Sequence, residues 1–418
     1  MAKKSSKNIL SDHFHPEIFV LPNGLRVVCR QREGMVSYIG VVVDAGSRDE
    51  NPEHEGLAHF VEHTIFKGTD KRRSWQISSR METVGGELNA YTSKEETMIY
   101  TNAPKGNEER ALELLADLVT NSRFPIEEID KEREVIIEEI YSYLDTPSDR
   151  IFDEYEELAY KGSGLAHNIL GSPESVREIK SADCRAFLDR FYRPENMVMY
   201  CVTPLSMREM IRKVEKFFGL IPSMDVEHHR ITPPPMEKFD ERRDNGTHQA
   251  NTIMGVRTFG RNDELRFSLF LLNNYLGGPC LNSRLSREIR DKRGYAYTVE
   301  SNVALLSDTG LMSIYFGCDP SNVDKCRKIV EREVEALCDT TLSAKSFERI
   351  KRQYCGQLIS SSDQIENRAM SLGKSVMYYG KVHDINTTID RIMSVSAQEM
   401  REVAELIFAD GLSTLTLL

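Results

Sequence analysis

Two histidines and a glutamate within five residues carry the clearest chemistry in this sequence. The stretch Gly56-Leu57-Ala58-His59-Phe60-Val61-Glu62-His63-Thr64-Ile65-Phe66 contains His-x-x-Glu-His. In a helix, residues four apart share a face, so His59 and His63 can grip one metal ion. Glu62 lies beside them, roughly 100° of rotation from His63. A carboxylate there can handle the proton of a metal-bound water. The order is the reverse of the commoner His-Glu-x-x-His zinc helix.

Two histidines do not complete a catalytic zinc site, which ordinarily has three protein ligands and a water. The best source of a third is Lys131-Glu132-Arg133-Glu134-Val135-Ile136-Ile137-Glu138-Glu139-Ile140. Glu132 and Glu139 are seven apart and share one face across two turns, with Ile136 and Ile140 on its flank. Taken alone, this stretch also reads as a solvated acidic helix paired with Lys131 and Arg133. Beside an unfinished metal site, its carboxylates become ligand candidates. His54, His167 and the pair His228-His229 are weaker ones. The last two read as solvated linker residues.

The elements that must position these groups follow from periodicity and turn residues. The 418 residues suffice for two or three domains. With 40% hydrophobic and 28% charged residues, the composition is that of an ordinary globular protein. Residues 1 to about 15 read as a loose basic arm. Pro22-Asn23-Gly24 between apolar runs predicts a hairpin, and Tyr38–Val43 a buried strand. The spacing predicts helices over the metal motif, over Gln76–Val84 before Gly85-Gly86, and over Glu108–Asn121, Ile126–Tyr143, Glu174–Tyr192 and Ser206–Phe218. Strands are expected at Leu88–Thr92, Thr97–Thr101 and Met197–Val202. Three prolines, Pro233 to Pro235, mark a linker over 226–240.

The second half replays this layout: strands at Asn251–Val256, Ala296–Ser301, Gly310–Phe316 and Leu412–Leu417, and helices at Leu265–Leu276, Val323–Leu337, Ser346–Ser360 and Ala397–Phe408. The expected architecture is α+β, with two similar domains. Each is a mostly antiparallel sheet with helices packed on one face. The N-terminal domain, 1–225, would bind metal, and the C-terminal one, 241–418, would contribute to substrate binding. Overlaid at a shift of roughly 217 residues, His59, Glu62 and His63 face Leu276, Pro279 and Cys280. Only the first half then keeps metal chemistry.

A net charge of −11 does not favour nucleic-acid binding. Eight scattered cysteines without a Cys-x-x-Cys pair read as reduced thiols. The start, MAKKSSKNILSDHF, has charges without an apolar run behind them, and no stretch reaches about 18 apolar residues. A cytoplasmic protein without a membrane span is expected.

The chain resembles the pitrilysin-type, or insulinase-like, M16 family of zinc metallopeptidases, the inverzincins. The likeness is to the branch of mitochondrial processing peptidase and its bacterial relatives. It rests on Gly56 to His63 with Phe66-Lys67-Gly68-Thr69, on Gly85-Gly86-Glu87-Leu88-Asn89-Ala90-Tyr91-Thr92, and on Glu132 to Glu139. In the second half it rests on Gly277-Gly278, Ser283-Arg284-Leu285 and Arg290-Asp291-Lys292-Arg293-Gly294-Tyr295-Ala296-Tyr297. These motifs span nearly the whole chain in the family's order.

The resemblance implies that His59, His63 and Glu139 hold one zinc ion per chain. Glu62 would be the general base and Glu132 a supporting carboxylate. It implies that Asn89 and Ala90 lie on an edge strand that pairs with an extended peptide. Arg290, Tyr297 and the Gly277-Gly278 loop would bind substrate from the non-metal half. The activity implied is endopeptidase cleavage of extended peptides or unfolded segments, of presequence-processing type, and an acidic interior would favour Arg and Lys in the substrate. With both halves intact in one chain, an active homodimer is expected. The alternatives are a non-catalytic scaffold or assembly subunit of the same family, which intact ligands argue against, and a hydrolase acting on small molecules.

Overall fold

The run Met197–Thr203 has no polar break until its end, and every residue in it is buried. A strand of that kind must be covered on both faces, and this requirement organises the whole chain. The computed structural model describes residues 15–244, 246 and 248–418; the basic arm expected up to about residue 15 lies almost wholly outside them.

In the first half the strands are β1 (Glu17–Val20), β2 (Arg26–Gln31), β3 (Val36–Val43), β4 (Glu87–Thr92), β5 (Thr97–Pro104) and β6 (Met197–Thr203). The helices are α1 (Leu57–Thr64), α2 (Ser74–Glu82), α3 (Glu108–Asn121), α4 (Ile126–Leu144), α5 (Pro147–Ala159), α6 (Pro173–Glu178), α7 (Ser181–Phe191) and α8 (Met207–Phe218). The second half has β7 (Asp240–Arg243), β8 (Ala250–Thr258), β9 (Ala296–Leu305), β10 (Gly310–Cys318) and β11 (Ser413–Leu417). Its helices are α9 (Arg266–Gly277), α10 (Val323–Asp339), α11 (Ala344–Ser362), α12 (Ile365–Tyr379), α13 (Ile385–Ser394) and α14 (Ala397–Phe408).

Contacts group the chain into two compact units that are not contiguous in sequence. One holds the residues up to Tyr141, His167–Arg230 and Ser362–Asn386; the other holds Ser142–Ala166, Ile231–Ser361 and Thr387–Leu418. Helix α12 therefore belongs to the first unit and α5 to the second.

The sheet of the first unit has the order β1-β2-β6-β3-β5-β4, and that of the second β7-β11-β8-β10-β9. In each, one parallel pair (β2 with β6, β7 with β11) stands beside antiparallel neighbours. The α+β class and the internal repeat are thus present in strand order as well as in element order. The repeat is not a uniform shift. β4 and β9 begin at 87 and 296, whereas α4 and α11 begin at 126 and 344. Pro279 and Cys280, which a uniform shift sets opposite Glu62 and His63, lie beyond the end of α9.

In the first unit α1, α3, α4, α7 and α8 cover one sheet face through residues such as Phe60, Leu115, Ile136, Phe187 and Val214. Ala369, Leu372 and Val376 of α12 cover the other, against Val42, Met98 and Tyr200. The second unit does the same with α5, whose Ile151 and Tyr155 lie on Ile253, Leu311 and Leu415. This extra helix on the opposite face supplements the single helical layer expected from the sequence. Glu96, 2% exposed, fastens α12 through Lys374 Nζ at 2.5 Å and the Tyr378 hydroxyl.

Gly373 sets the closeness of that packing. A Cβ there would stand 2.8 Å from Tyr200 Cδ1 and from Val42 Cγ2. Glycine costs a helix about 1 kcal/mol relative to alanine, yet Gly373→Ala is expected to destabilise the protein. Overpacking of a core costs roughly 1–3 kcal/mol, which outweighs the helical gain. Denaturant unfolding of the variant against wild type reads the sign directly.

The segment expected as one helix, Glu174–Tyr192, is two. The chain leaves α6 at Ile179 and restarts at Ser181, where the Asp183 carboxylate accepts the Lys180 backbone N–H at 2.8 Å. Acceptor side chains of that kind cap helix starts, so the aspartate is the signal for the break.

Candidate metal and active site

Helix α1 places His59, Glu62 and His63 at the edge of the first unit's core, because Leu57, Ala58, Phe60 and Val61 point the other way and are buried. Helix α4 buries Ile129, Ile136, Ile137 and Ile140 and so turns Glu132 and Glu139 toward α1. Nε2 of His63 lies 3.5 Å from Glu139 Oε2, and Nε2 of His59 lies 3.9 Å from the same oxygen. One ligand atom from each of His59, His63 and Glu139 lies within 4.8 Å of the other two, the one such group of three among the described residues. Tetrahedral zinc with bonds near 2.0 Å spaces its ligand atoms about 3.3 Å apart, so the group fits the ion with small adjustments.

The far side of the His63 ring supports this fit. Its Nδ1 is 3.1 Å from Glu132 Oε1, and Glu132 Oε2 is 2.6 Å from Lys67 Nζ. A ring that gives its Nδ1 proton to a carboxylate presents the Nε2 lone pair to a metal. Nδ1 of His59 is buried without a hydrogen-bond partner among the described residues. Burial, with His63 adjacent, pushes His59 down to about 3, so the ring stays neutral and able to coordinate. Burial also opposes charge on His63 and Glu132. For His63 the Glu132 bond and the charges of Glu139 and Glu62 prevail and raise its pKa. For Glu132 the bonds from His63 and Lys67 prevail and lower it. Burial raises the Glu62 carboxyl above the usual range, against the pull of Thr92 and His63.

A groove of about 430 Å³ opens beside these groups, lined by Glu62, His63, Phe66, Leu88, Asn89, Ala90 and Glu132. Its rim includes Glu82, Glu87 and Lys67. Asn89 and Ala90 lie on β4, an outermost strand of its sheet, which pairs with β5. Among the described residues its other edge has no strand partner and can receive an extended chain by backbone pairing.

The remaining predicted residues belong to the second unit. Arg290 lies in a π-helical turn, Ser286–Asp291, and its guanidinium sits 5.2 Å from the ring centre of Tyr297. Tyr297 is 80% exposed on β9, the outer strand of that sheet. Gly277 ends α9 against β9, where a Cβ would come 2.8 Å from the Ser301 backbone nitrogen. Neutral amides hold α9 to α11: Asn274 Nδ2 donates to Gln357 Oε1 at 2.7 Å. The corresponding pair of helices in the first unit sets imidazoles against a carboxylate.

Several histidines stand apart from the metal group. His54 takes no part in it. His228 is not solvated as expected: Nδ1 is 2.9 Å from Asp49 and Nε2 2.9 Å from Asn196 Oδ1. Its carboxylate partner comes from a residue far away in sequence, which adjacency could not reveal. His167 pairs through Nε2 with Glu50 at 3.0 Å. Glu50, with no motif to mark it, and Lys67, which the sequence reading gave no role, are the supporting residues that reading passed over.

The sequence matches the insulinase family of peptidases (peptidase family M16) over residues 26–173. It matches the M16 peptidase inactive domain over 178–354. An uncharacterized zinc protease of Mycobacterium leprae is 32% identical over 394 residues, covering 92% of this chain and 87% of the relative. The uncharacterized zinc protease YmxG of Bacillus subtilis is 29% identical, covering 94% and 95%. A protease from Helicobacter pylori superposes with a TM-score of 0.89 at 22% identity, over 97% of this chain and 99% of that one. A putative M16-like peptidase from Alicyclobacillus acidocaldarius gives 0.87 at 20%, over 98% and 99%. No helix among the described residues is long and apolar enough to cross a membrane.

Proposed function

Because the chain belongs to the insulinase family of peptidases, M16, we propose that it is a zinc-dependent endopeptidase acting on extended peptides or unfolded segments. The observation that carries this reading is the convergence of His59, His63 and Glu139 within 4.8 Å of one another beside a strand edge that no described strand pairs. In it His59, His63 and Glu139 hold one zinc ion per chain, and Glu132 keeps His63 in the coordinating tautomer. When bound, zinc supplies a polarised scissile carbonyl and a water whose pKa falls toward about 7. Glu62 would accept a proton from the attacking water and return it to the leaving amine. The raised Glu62 pKa brings the carboxylate nearer to the pH at which both transfers run. β4, at Asn89 and Ala90, aligns the peptide backbone along the groove.

The acidic rim of Glu82 and Glu87 suits substrates with Arg or Lys, as in presequence processing. Arg290 and Tyr297, with the Gly277-Gly278 loop, contact substrate from the non-metal half. Since both halves stand in one chain, the active form is a homodimer, and the location is the cytoplasm.

The test uses the whole chain, stripped with a chelator and reloaded with zinc. Zinc-restorable cleavage of internal bonds in unstructured peptides, with folded proteins left intact, is expected from a sample that light scattering reads as a dimer. A zinc-loaded chain that cleaves no peptide would leave the scaffold alternative standing.

A further inference from the structure

Glu50 has a fully buried side chain, lies close to the candidate site, and has no part in the chemistry just described. Its two oxygens accept the backbone N–H groups of Gly56 at 2.8 Å and Ala58 at 2.7 Å. Those groups open α1, the second of them on the residue before His59. A carboxylate is favoured there by the unpaired N–H groups and the dipole of the helix. The same carboxylate is held by His167 Nε2 at 3.0 Å, and the His167 carbonyl in turn accepts Lys94 Nζ at 2.6 Å.

The backbones of these two segments are keyed together. Gly56 has φ +92°, and a Cβ on it would stand 2.6 Å from the Leu170 carbonyl oxygen. Gly171 has φ +73°, and a Cβ on it would stand 2.4 Å from the Glu55 carbonyl oxygen. Each glycine therefore admits the other strand of chain where a side chain would not fit. The Glu50–His167 pair is the polar pin across this joint.

We propose that Glu50 and His167 are positioning residues for the metal helix. Glu50 fixes the start of α1 and so the direction in which His59 and His63 point, and His167 fixes Glu50. The proposal rests on the reading of those two histidines as zinc ligands. A helix cap that served folding alone would lower thermal stability and leave metal affinity untouched. A positioning pin changes metal affinity and kcat, and leaves KM alone because β4 is not touched.

The test compares His167→Ala and His167→Leu, which lose the donor, with His167→Gln, whose amide N–H can return it. Zinc affinity is read by competition with a chromophoric chelator, stability by thermal unfolding without metal, and kcat and KM on one unstructured peptide. The loss variants are expected to hold zinc about tenfold more weakly, with a similar fall in kcat and little change in KM. His167→Gln is expected to recover most of both. His167→Leu fills the space left by the ring, so a collapse of His167→Ala would not spoil the comparison. Wild-type zinc affinity in both loss variants, or a fall in unfolding temperature alone, would overturn the proposal, as would His167→Gln behaving like His167→Leu. A wild-type chain that binds no zinc would overturn the ligand reading with it, whereas tight zinc in every variant overturns this proposal alone.

Discussion

Glu62→Gln is expected to lower kcat/KM on an unstructured peptide by about 10²–10⁴-fold while zinc stays bound, the range that a lost general acid–base group removes. The substitution keeps the shape and hydrogen-bonding reach of the side chain and takes away its ability to accept a proton. The retention of zinc follows from the geometry: Glu62 is not in the group formed by His59, His63 and Glu139. The substitution also removes a charge whose burial is costly, as the raised Glu62 pKa records. Stability should accordingly hold or rise. Metal analysis and peptide kinetics on the same preparation check both halves of the expectation. Cleavage at the wild-type rate would sink the general-base assignment, and loss of zinc together with activity would move Glu62 among the ligands.

The parts of this site that were legible in the sequence are those set by local spacing. His59 and His63 are four apart and Glu132 and Glu139 seven apart, and a helix turns each spacing into a shared face. Which acid serves the metal and which serves His63 is a matter of how α4 lies against α1. The spacing left that open, and the family resemblance had to suggest it. Glu50 was invisible for a related reason. Helix caps are sought in the residue next to a helix start, and this one reaches forward from Glu50 to N–H groups 6 and 8 residues further on. His228 likewise takes its carboxylate from Asp49, 179 residues away in sequence.

The fold was legible to the same depth. Apolar periodicity marked most strands and helices, and turn glycines such as Gly85, with φ +76°, marked their ends. Periodicity shows that a helix has an apolar face without saying which sheet that face will meet. The exchange of α5 and α12 between units was therefore out of reach. Its one sequence trace is the apolar run from Met197 to Val202, in a strand that demands a cover on both sides. The uniform shift between halves failed because β9 is longer than β4 and α10 longer than α3, so the offset grows along the chain, although the strand order is the same.

Replacement of Glu139 is expected to have the largest effect, because on the proposed reading it removes the ligand that comes from a different helix. His59 and His63 both ride on α1, and Glu139 would be the ligand that ties the ion to α4. Two imidazoles alone fall short of the three protein ligands of a catalytic zinc site. Glu139→Gln is therefore expected to carry little zinc after dialysis and to cleave peptides at a rate near background. The stability consequence separates this from a general folding defect. A ligand bound only by the native state stabilises it by about 4 kcal/mol at a thousandfold excess over its dissociation constant, so the wild type should unfold at a clearly higher temperature with zinc than without. The variant should show almost none of that shift. Without metal, however, it should unfold little earlier than the wild type. Glu139 is 41% exposed, and its repulsion of Glu62 is set against its attraction for His63, so its loss costs the metal-free fold little. Thermal unfolding of both proteins, with and without zinc, gives the four values needed. A zinc-dependent shift in Glu139→Gln as large as that of the wild type would remove Glu139 from the ligand set and return the choice of third ligand to Glu132.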